Sequence, residues 1–220
     1  ASDDVDLIFV NPNGITVSTG ASFGGVTDLL LSTNATGVSD IGNLSGFSTI
    51  TGESLTGGTS LAISTPITVK SGGDVWLMAD GTISAGTNKI TAVDLVIDAD
   101  GAVSIDTAVT NAELSSTGVI DISNDGNLTI KELSVSGGGV VDIAAEGVIT
   151  ISTTAVSNSA TGAVTINADS EGDGGGEIAT SVAITHDGNI SLEADTITIG
   201  ANINTGSTDT LTIKSSTGTS

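Results

Sequence analysis

The sequence predicts an all-β fold: a single-stranded, right-handed parallel β-helix of about ten coils. Three observations predict it. The chain of 220 residues is 38% hydrophobic but only 2% aromatic, so its core must be built from Val, Ile, Leu and Ala, and β-branched residues favour strands. An eleven-residue pattern of aliphatic alternation broken by a small-acidic-Gly corner recurs along the chain. Within each copy the alternation has period two, the mark of strands with one buried face. Right-handedness follows from the general rule for crossovers between parallel strands.

The copies read VWLMADGTISA from Val75, LVIDADGAVSI from Leu95, IDISNDGNLTI from Ile120, VDIAAEGVITI from Val141 and VAITHDGNISL from Val182. A further copy, VTINADS from Val164, carries Ser170 in place of Gly and runs into the insertion Glu171–Glu177. The corner positions 81, 101, 126, 147, 170 and 188 are spaced by 20, 25, 21, 23 and 18 residues. Variable loops between constant strands give such spacing in a solenoid, where one coil cannot bury its own apolar face and stacked coils can.

The first strand of the pattern predicts an inward file of Val75, Leu95, Ile120, Val141, Val164 and Val182, followed by Leu77, Ile97, Ile122, Ile143, Ile166 and Ile184. The second strand predicts Ile83, Val103, Leu128, Ile149 and Ile190 inward, with Ser84, Ser104, Thr129, Thr150 and Ser191 outward. Gly at each corner is expected to take a left-handed backbone, with Asp bonding its own turn. Leu61–Ile63, Ile67–Val69, Leu133–Val135, Ile197–Ile199 and Leu211–Ile213 supply further strands. Residues 1–60 are less regular and form the N-terminal start of the β-helix. Residues 61–220 carry the regular repeats, continuous with it. Ile8 and Val10 are expected inward, with Asn13-Gly14 at a corner.

Charge narrows the function. With 26 acidic residues against four Lys, the formal net charge is −22, a field that repels nucleic-acid backbones and anionic membrane surfaces. There is no Cys, so packing and backbone ladders hold the fold. No apolar run reaches the roughly 18 residues of a membrane helix, and no membrane insertion is expected.

The segment Val5–Thr33, VDLIFVNPNGITVSTGASFGGVTDLLLST, resembles the haemagglutination-activity region of filamentous-haemagglutinin-type adhesins. The matching features are Asn11, Pro12, Asn13, Gly14 and Ile15 after a hydrophobic strand, then Gly20-Ala21, Gly24-Gly25-Val26 and Ser32-Thr33. The resemblance implies a right-handed parallel β-helix and export by two-partner secretion through an outer-membrane transporter. It assigns Asn11, Pro12, Asn13 and Gly14 to a secretion motif. It also implies a secreted, cell-surface location and a role in adhesion or biofilm cohesion. Only ten residues precede the motif here, where such proteins carry several dozen, so the chain is either trimmed or carries its signal elsewhere.

Candidate sites are few. The corner acids Asp80, Asp100, Asp125, Glu146, Asp169 and Asp187 would stack about 5 Å apart if the copies superpose, and Ca²⁺ would relieve their repulsion. Their plain reading is a run of solvated Asp-Gly turns, with no cofactor. Glu171–Glu177 reads as an acidic, flexible loop. Trp76, the one Trp, falls on the outward register as a platform for a sugar ring or a neighbouring chain, or lies under a nearby loop. His186 lacks a second His, a Cys or a hydroxyl partner at useful spacing and reads as a turn residue. The expected function is an extracellular structural and adhesive rod, not an enzyme, with extracellular polysaccharide or a second copy as partners. The alternatives are a filament subunit stacking end to end and, less favoured, a polysaccharide-active β-helix enzyme. Against the last, the chain has no Arg, and Lys70, Lys89, Lys131 and Lys214 are scattered singly.

Overall fold

The computed structural model describes residues 5–33, 59–152, 156–158 and 162–216. Among them there is no helix, and every strand pairing is parallel. Two sheets stack into a β-solenoid of about eight turns rather than ten.

The chain climbs through nine levels. The lowest holds β1 (Asp6–Val10) and β2 (Ile15–Val17), and the next β3 (Asp28–Ser32), β4 (Leu61–Ile63) and β5 (Ile67–Thr68). Above them come β6 (Val75–Ala79), β7 (Ile83–Ser84) and β8 (Ile90–Thr91), then β9 (Asp94–Ala99) and β10 (Val103–Ala108). The middle level is β11 (Asn111–Ser116) and β12 (Ile120–Asn124), followed by β13 (Leu128–Val135) and β14 (Val141–Ala145). The last three are β15 (Ile149–Ile151), β16 (Val156–Asn158) and β17 (Val164–Ala168); β18 (Glu177–Thr180), β19 (Ile184–His186) and β20 (Ile190–Glu193); and β21 (Thr196–Ile199), β22 (Ile203–Thr205) and β23 (Leu211–Lys214).

Sheet A runs β1-β3-β6-β9-β11-β13-β15-β18-β21, and sheet B runs β2-β4-β7-β10-β12-β14-β17-β20-β23. Both cross residue 60 without a break, since β3 pairs β6 and β2 pairs β4. Facing aliphatic files fill the space between the sheets in one continuous buried cluster. In sheet B the file is Ile15, Leu61, Ile83, Val103, Ile120, Val141, Val164, Ile190 and Leu211.

This register corrects the expected one. Leu77 and Ile97 stack in sheet A, whereas Ile122 and Ile143 stack in sheet B. They share one interior from opposite walls. The first strand of the repeated pattern belongs to sheet A in the copies from Val75 and Leu95, and to sheet B in those from Ile120, Val141 and Val164. The phase changes where the coil is shortest: Val103 pairs Ile120, 17 residues on, while the other intervals from Ile83 to Leu211 run from 20 to 26.

A short third side accounts for the change. In the lower coils it follows sheet B, as β5 and β8 stacked under the end of β10. The middle coil has none. In the upper coils it follows sheet A, as the end of β13 stacked under β16, β19 and β22. A bulge starts it. Ala112 pairs Ile130 but Glu113 pairs Glu132, leaving Lys131 as the extra residue that bends β13.

The glycines follow the true register. Gly81, Gly101, Gly118, Gly139, Gly162 and Gly188 each stand two residues before the first inward residue of a sheet B strand. None has a positive φ, so handedness is not what selects them. A Cβ on Gly101 would lie 2.8 Å from the Gly81 carbonyl carbon, and one on Gly118 2.8 Å from the Ala102 nitrogen. Those on Gly139 and Gly162 would overlap the carbonyl of the glycine one coil below. The backbones pack too closely for any side chain. Of the glycines at the acidic corners, Gly81, Gly101, Gly126, Gly147 and Gly188, only Gly126 is left-handed, at φ 77°.

At the base, Leu7 and Phe9 are in register with the inward Leu29 and Leu31, so Ile8 and Val10 face outward, opposite to expectation. Period-two alternation places one set inside without saying which, and the pairing with β3 decides it.

Candidate functional site

The six corner acids do not form one file. Asp80 and Asp100 lie on adjacent coils where sheet A turns to sheet B, at the ends of the paired strands β6 and β9. Burial, with the Asp100 charge added, pushes the Asp80 carboxyl up. Asp187 sits at that same corner but four coils higher, after β19. Asp125, Glu146 and Asp169 instead follow β12, β14 and β17, at the corner where sheet B turns to sheet A. The template carried one pattern across two corners, and the half-coil phase change separated its acids.

At the second corner each acid has a different occupation. Asp125 is ion-paired with Lys89. Glu146 Oε2 accepts a hydrogen bond from the Gly126 N–H at 3.1 Å. The Glu146 charge, foremost, raises the nearby Glu171 carboxyl. Asp169 is buried against the insertion, 2% exposed and left-handed at φ 70°. It accepts N–H bonds from Asp173 at 3.0 Å and Gly174 at 3.3 Å, and a 3.0 Å bond from the Ser216 hydroxyl. That hydroxyl also lies 2.7 Å from Asp195, which accepts the Gly175 N–H at 2.6 Å. The insertion Glu171–Glu177, expected to be a flexible loop, is therefore pinned at its centre by two carboxylates one coil apart. Among the described residues no group of three or more His, Cys, Asp or Glu has a geometry that would hold a metal ion.

Trp76 lies on the outward register, between Leu30 and Val96. It is not an exposed platform, however. It is 3% exposed and forms a small outer cluster with Leu30, Met78 and Val96, separate from the main core. Alternation gives the side of the sheet but not what lies over it, and Leu30, Trp76, Met78 and Val96, all large and apolar on the outward register, were the signal of a second apolar cluster.

His186 is fully buried at the end of β19 instead of standing in a turn. Its Nε2 lies 2.6 Å from the Gly162 carbonyl oxygen of the coil below. Asn124, at the equivalent small-residue position in the pattern, is also buried. Its Oδ1 accepts from the Thr107 hydroxyl and the Val109 N–H at 2.9 Å each, and its Nδ2 donates to the Asp125 and Asn127 carbonyls at 3.1 and 3.2 Å. Both residues tie corner backbone that would otherwise go unpaired.

The segment Asn11-Pro12-Asn13-Gly14 forms the first corner, between β1 and β2. The Gly14 N–H donates to the Asn11 carbonyl at 3.0 Å, closing a four-residue turn with Pro at its second position. Asn11 Oδ1 accepts the Asn13 N–H at 3.1 Å and its Nδ2 donates to the Gly14 carbonyl at 2.9 Å. Gly14, at φ 101°, takes a backbone that side chains rarely allow. Each residue of the motif has a role in the turn.

One carboxylate file was missed. Asp6, Asp28, Asp74 and Asp94 stand in register at successive levels of sheet A. Each of the last three directly precedes an inward aliphatic residue, Leu29, Val75 or Leu95, and that recurrence was the available signal. The template began one residue too late to include it.

Comparison with family models, with curated proteins and with solved structures found no match for this chain. What the geometry defines is a class, a parallel β-solenoid repeat protein. No helix among the described residues is long and apolar enough to cross a membrane.

Proposed function

We propose that this chain is a structural and adhesive rod segment of a secreted bacterial surface adhesin, working outside the cell in attachment to cell surfaces or biofilm matrix, and not in catalysis. One observation carries the reading: the coils stack without interruption from the Asn11–Gly14 turn through both sheets, so the most regular feature of the molecule is length. A rod suits presentation at a distance, and the resemblance of Val5–Thr33 to haemagglutinin-type adhesins supplies the context. On this reading an outer-membrane two-partner transporter exports the chain, extracellular polysaccharide is its contact, and no cofactor is needed. Calcium at Asp125 and Glu146 is the one cation to test, by calorimetry.

Surface display of the chain on a non-adherent bacterial host tests the adhesive role. Attachment to matrix polysaccharide or host cells above the empty-display level is expected, and attachment equal to the control overturns it. Export is tested separately, by secretion beside a two-partner transporter with and without an Asn11→Ala, Asn13→Ala pair. Equal secretion of both removes the motif from the reading.

Exposed apolar residues favour a second reading. Ile199, Leu211 and Ile213 are exposed on the uppermost strands, and Ile8 and Phe9 on the lowest. Among the described residues the outer edges of β1 and of β21, β22 and β23 pair with no other strand, and open edges bearing apolar side chains invite another strand edge. End-to-end stacking of copies would cover both faces, and electron microscopy of the purified chain separates fibres from single rods.

A further inference from the structure

Asn13-Gly14 is the one Asn-Gly pair in the chain. The pair matters chemically because a backbone nitrogen can attack the side-chain amide of the residue before it. Glycine, with no Cβ, leaves that nitrogen unhindered. The ring that closes is intramolecular, so the chain itself holds nucleophile and carbonyl carbon together. Every other asparagine precedes a residue with a side chain. Asn11 precedes Pro12, whose nitrogen carries no hydrogen to lose. The five Asp-Gly pairs offer the same nitrogen, but a carboxylate repels a nucleophile where a neutral amide does not.

The turn treats its two asparagines differently. Asn11 is tied at both ends of its side chain, Oδ1 accepting the Asn13 N–H at 3.1 Å and Nδ2 donating to the Gly14 carbonyl at 2.9 Å. Asn13 is exposed, and its side chain makes no hydrogen bond among the described residues. The Gly14 N–H is spent on the Asn11 carbonyl at 3.0 Å, and attack on Asn13 requires that hydrogen to be released. The side-chain bonds of Asn11 hold the turn closed, so they restrain the nucleophile rather than its target.

We propose that Asn13 is a site of spontaneous deamidation restrained by Asn11, which gives the first corner of the solenoid a one-way, age-dependent modification. The Gly14 nitrogen gives up its proton and bonds to Asn13 Cγ. The Cγ–Nδ2 bond breaks, and Nδ2 leaves as ammonia carrying the equivalent of that proton. Water then opens the cyclic imide. Cleavage between Cγ and the Gly14 nitrogen leaves an aspartate side chain on an ordinary backbone. Cleavage at the Asn13 backbone carbonyl leaves an isoaspartate, with the chain running through the former side chain. Either product adds a carboxylate. The second also adds a backbone carbon, so the Gly14 N–H no longer meets the Asn11 carbonyl in a four-residue turn, and β2 is pushed out of register with β4.

The experiment is peptide-mapping mass spectrometry of the full chain aged at pH 6 and pH 8.5, with isoaspartate read by enzymatic methylation, for wild type and Asn11→Ala. In wild type Asn13 should convert roughly tenfold faster than any other asparagine, faster at pH 8.5 than at pH 6, and with isoaspartate among the products. Conversion of Asn13 no faster than that of the other asparagines overturns the site. Aspartate without isoaspartate overturns the attack by Gly14, because direct hydrolysis makes no cyclic imide. Asn11→Ala should speed Asn13 alone by roughly fivefold, the worth of one such hydrogen bond, and an unchanged rate removes Asn11 as the restraint. Should Asn11→Ala not fold, wild type aged in denaturant decides: faster conversion of Asn13 than in the folded chain supports the restraint, and an equal rate ends it.

Discussion

The lower and upper halves of the solenoid solve one problem in opposite ways. Each must return the chain from one sheet to the other along a coil too long for two strands and two tight corners. Below the β11–β12 level the surplus goes into a short side after sheet B, through β5 and β8. Above it the surplus goes into a side after sheet A, through β16, β19 and β22. The 17-residue step from Val103 to Ile120 has no surplus and serves both. A solenoid thus tolerates a change of cross-section partway along, provided the inward files of its two sheets stay in register. Energetically the coils interact as nearest neighbours, so each half depends on the other only through the middle level.

What both halves share is the glycine corner, and breaking it should produce the largest effect. Gly139→Val would force a side chain into the Gly118 carbonyl. Since the obstacle is backbone, we expect about 4 kcal/mol or more of destabilisation, or no folded protein, by chemical denaturation. Gly138→Ala, one residue away with nothing within 4 Å of the added carbon, should change stability by less than about 1 kcal/mol. Similar losses in the two variants would contradict the close-packing account.

Asn124→Leu comes next and tests the middle level. It removes the acceptor of the buried Val109 N–H and Thr107 hydroxyl, which should cost about 2–3 kcal/mol. Native-state hydrogen exchange should then show β10 and β12 losing protection before β17 and β20. Uniform loss along the rod would mean that the halves are one cooperative unit. Asp169→Ala, confined to the upper half, frees the N–H groups of Asp173 and Gly174. It should cost about 1–2 kcal/mol and open the insertion to protease. Resistance equal to wild type would show that Asp195 holds the loop alone.

The architecture was legible in the sequence because alternation and aliphatic files depend only on which residues avoid water. Leu61–Ile63, Leu211–Ile213 and the strands on either side of each acidic corner lie where the pattern placed them. The register was not legible from the pattern alone. Both sheets bury Val and Ile on the same period, so VWLM and IDIS look alike although one belongs to sheet A and the other to sheet B. Only the short interval before Ile120 betrays the change, and it reads as loop variation unless Gly118 is placed in the glycine file. The candidate site suffered accordingly. Stacking the acids on the wrong glycines joined Asp100 to Asp125 across half a coil and hid Asp195 and the Asp28–Asp94 file.

The smallest expected effect separates the outer faces of the two sheets. Asp121 and Asp142 are paired in sheet B with no amide rung between them. Burial and then the Asp121 charge raise the Asp142 carboxyl. Since the folded group binds its proton more tightly than the unfolded one, the penalty exists only above the ordinary value of 3.8 and grows as pH rises through the raised value. Asp121→Ser should therefore stabilise the chain at pH 7 by only about 0.3 kcal/mol, because the pair is largely exposed and screened. The gain should shrink with added salt and vanish by pH 3, as denaturant melts at both pH values would read. A gain that persists at pH 3 would assign it to strand propensity, since Ser at this position would then help whether or not its neighbour is charged. In sheet A, Asp74 is raised to about 6, first by burial and then by the charges of Asp94 and Asp28, against the opposing pull of the Asp94 N–H that it accepts, so it should respond to pH more strongly than this open pair.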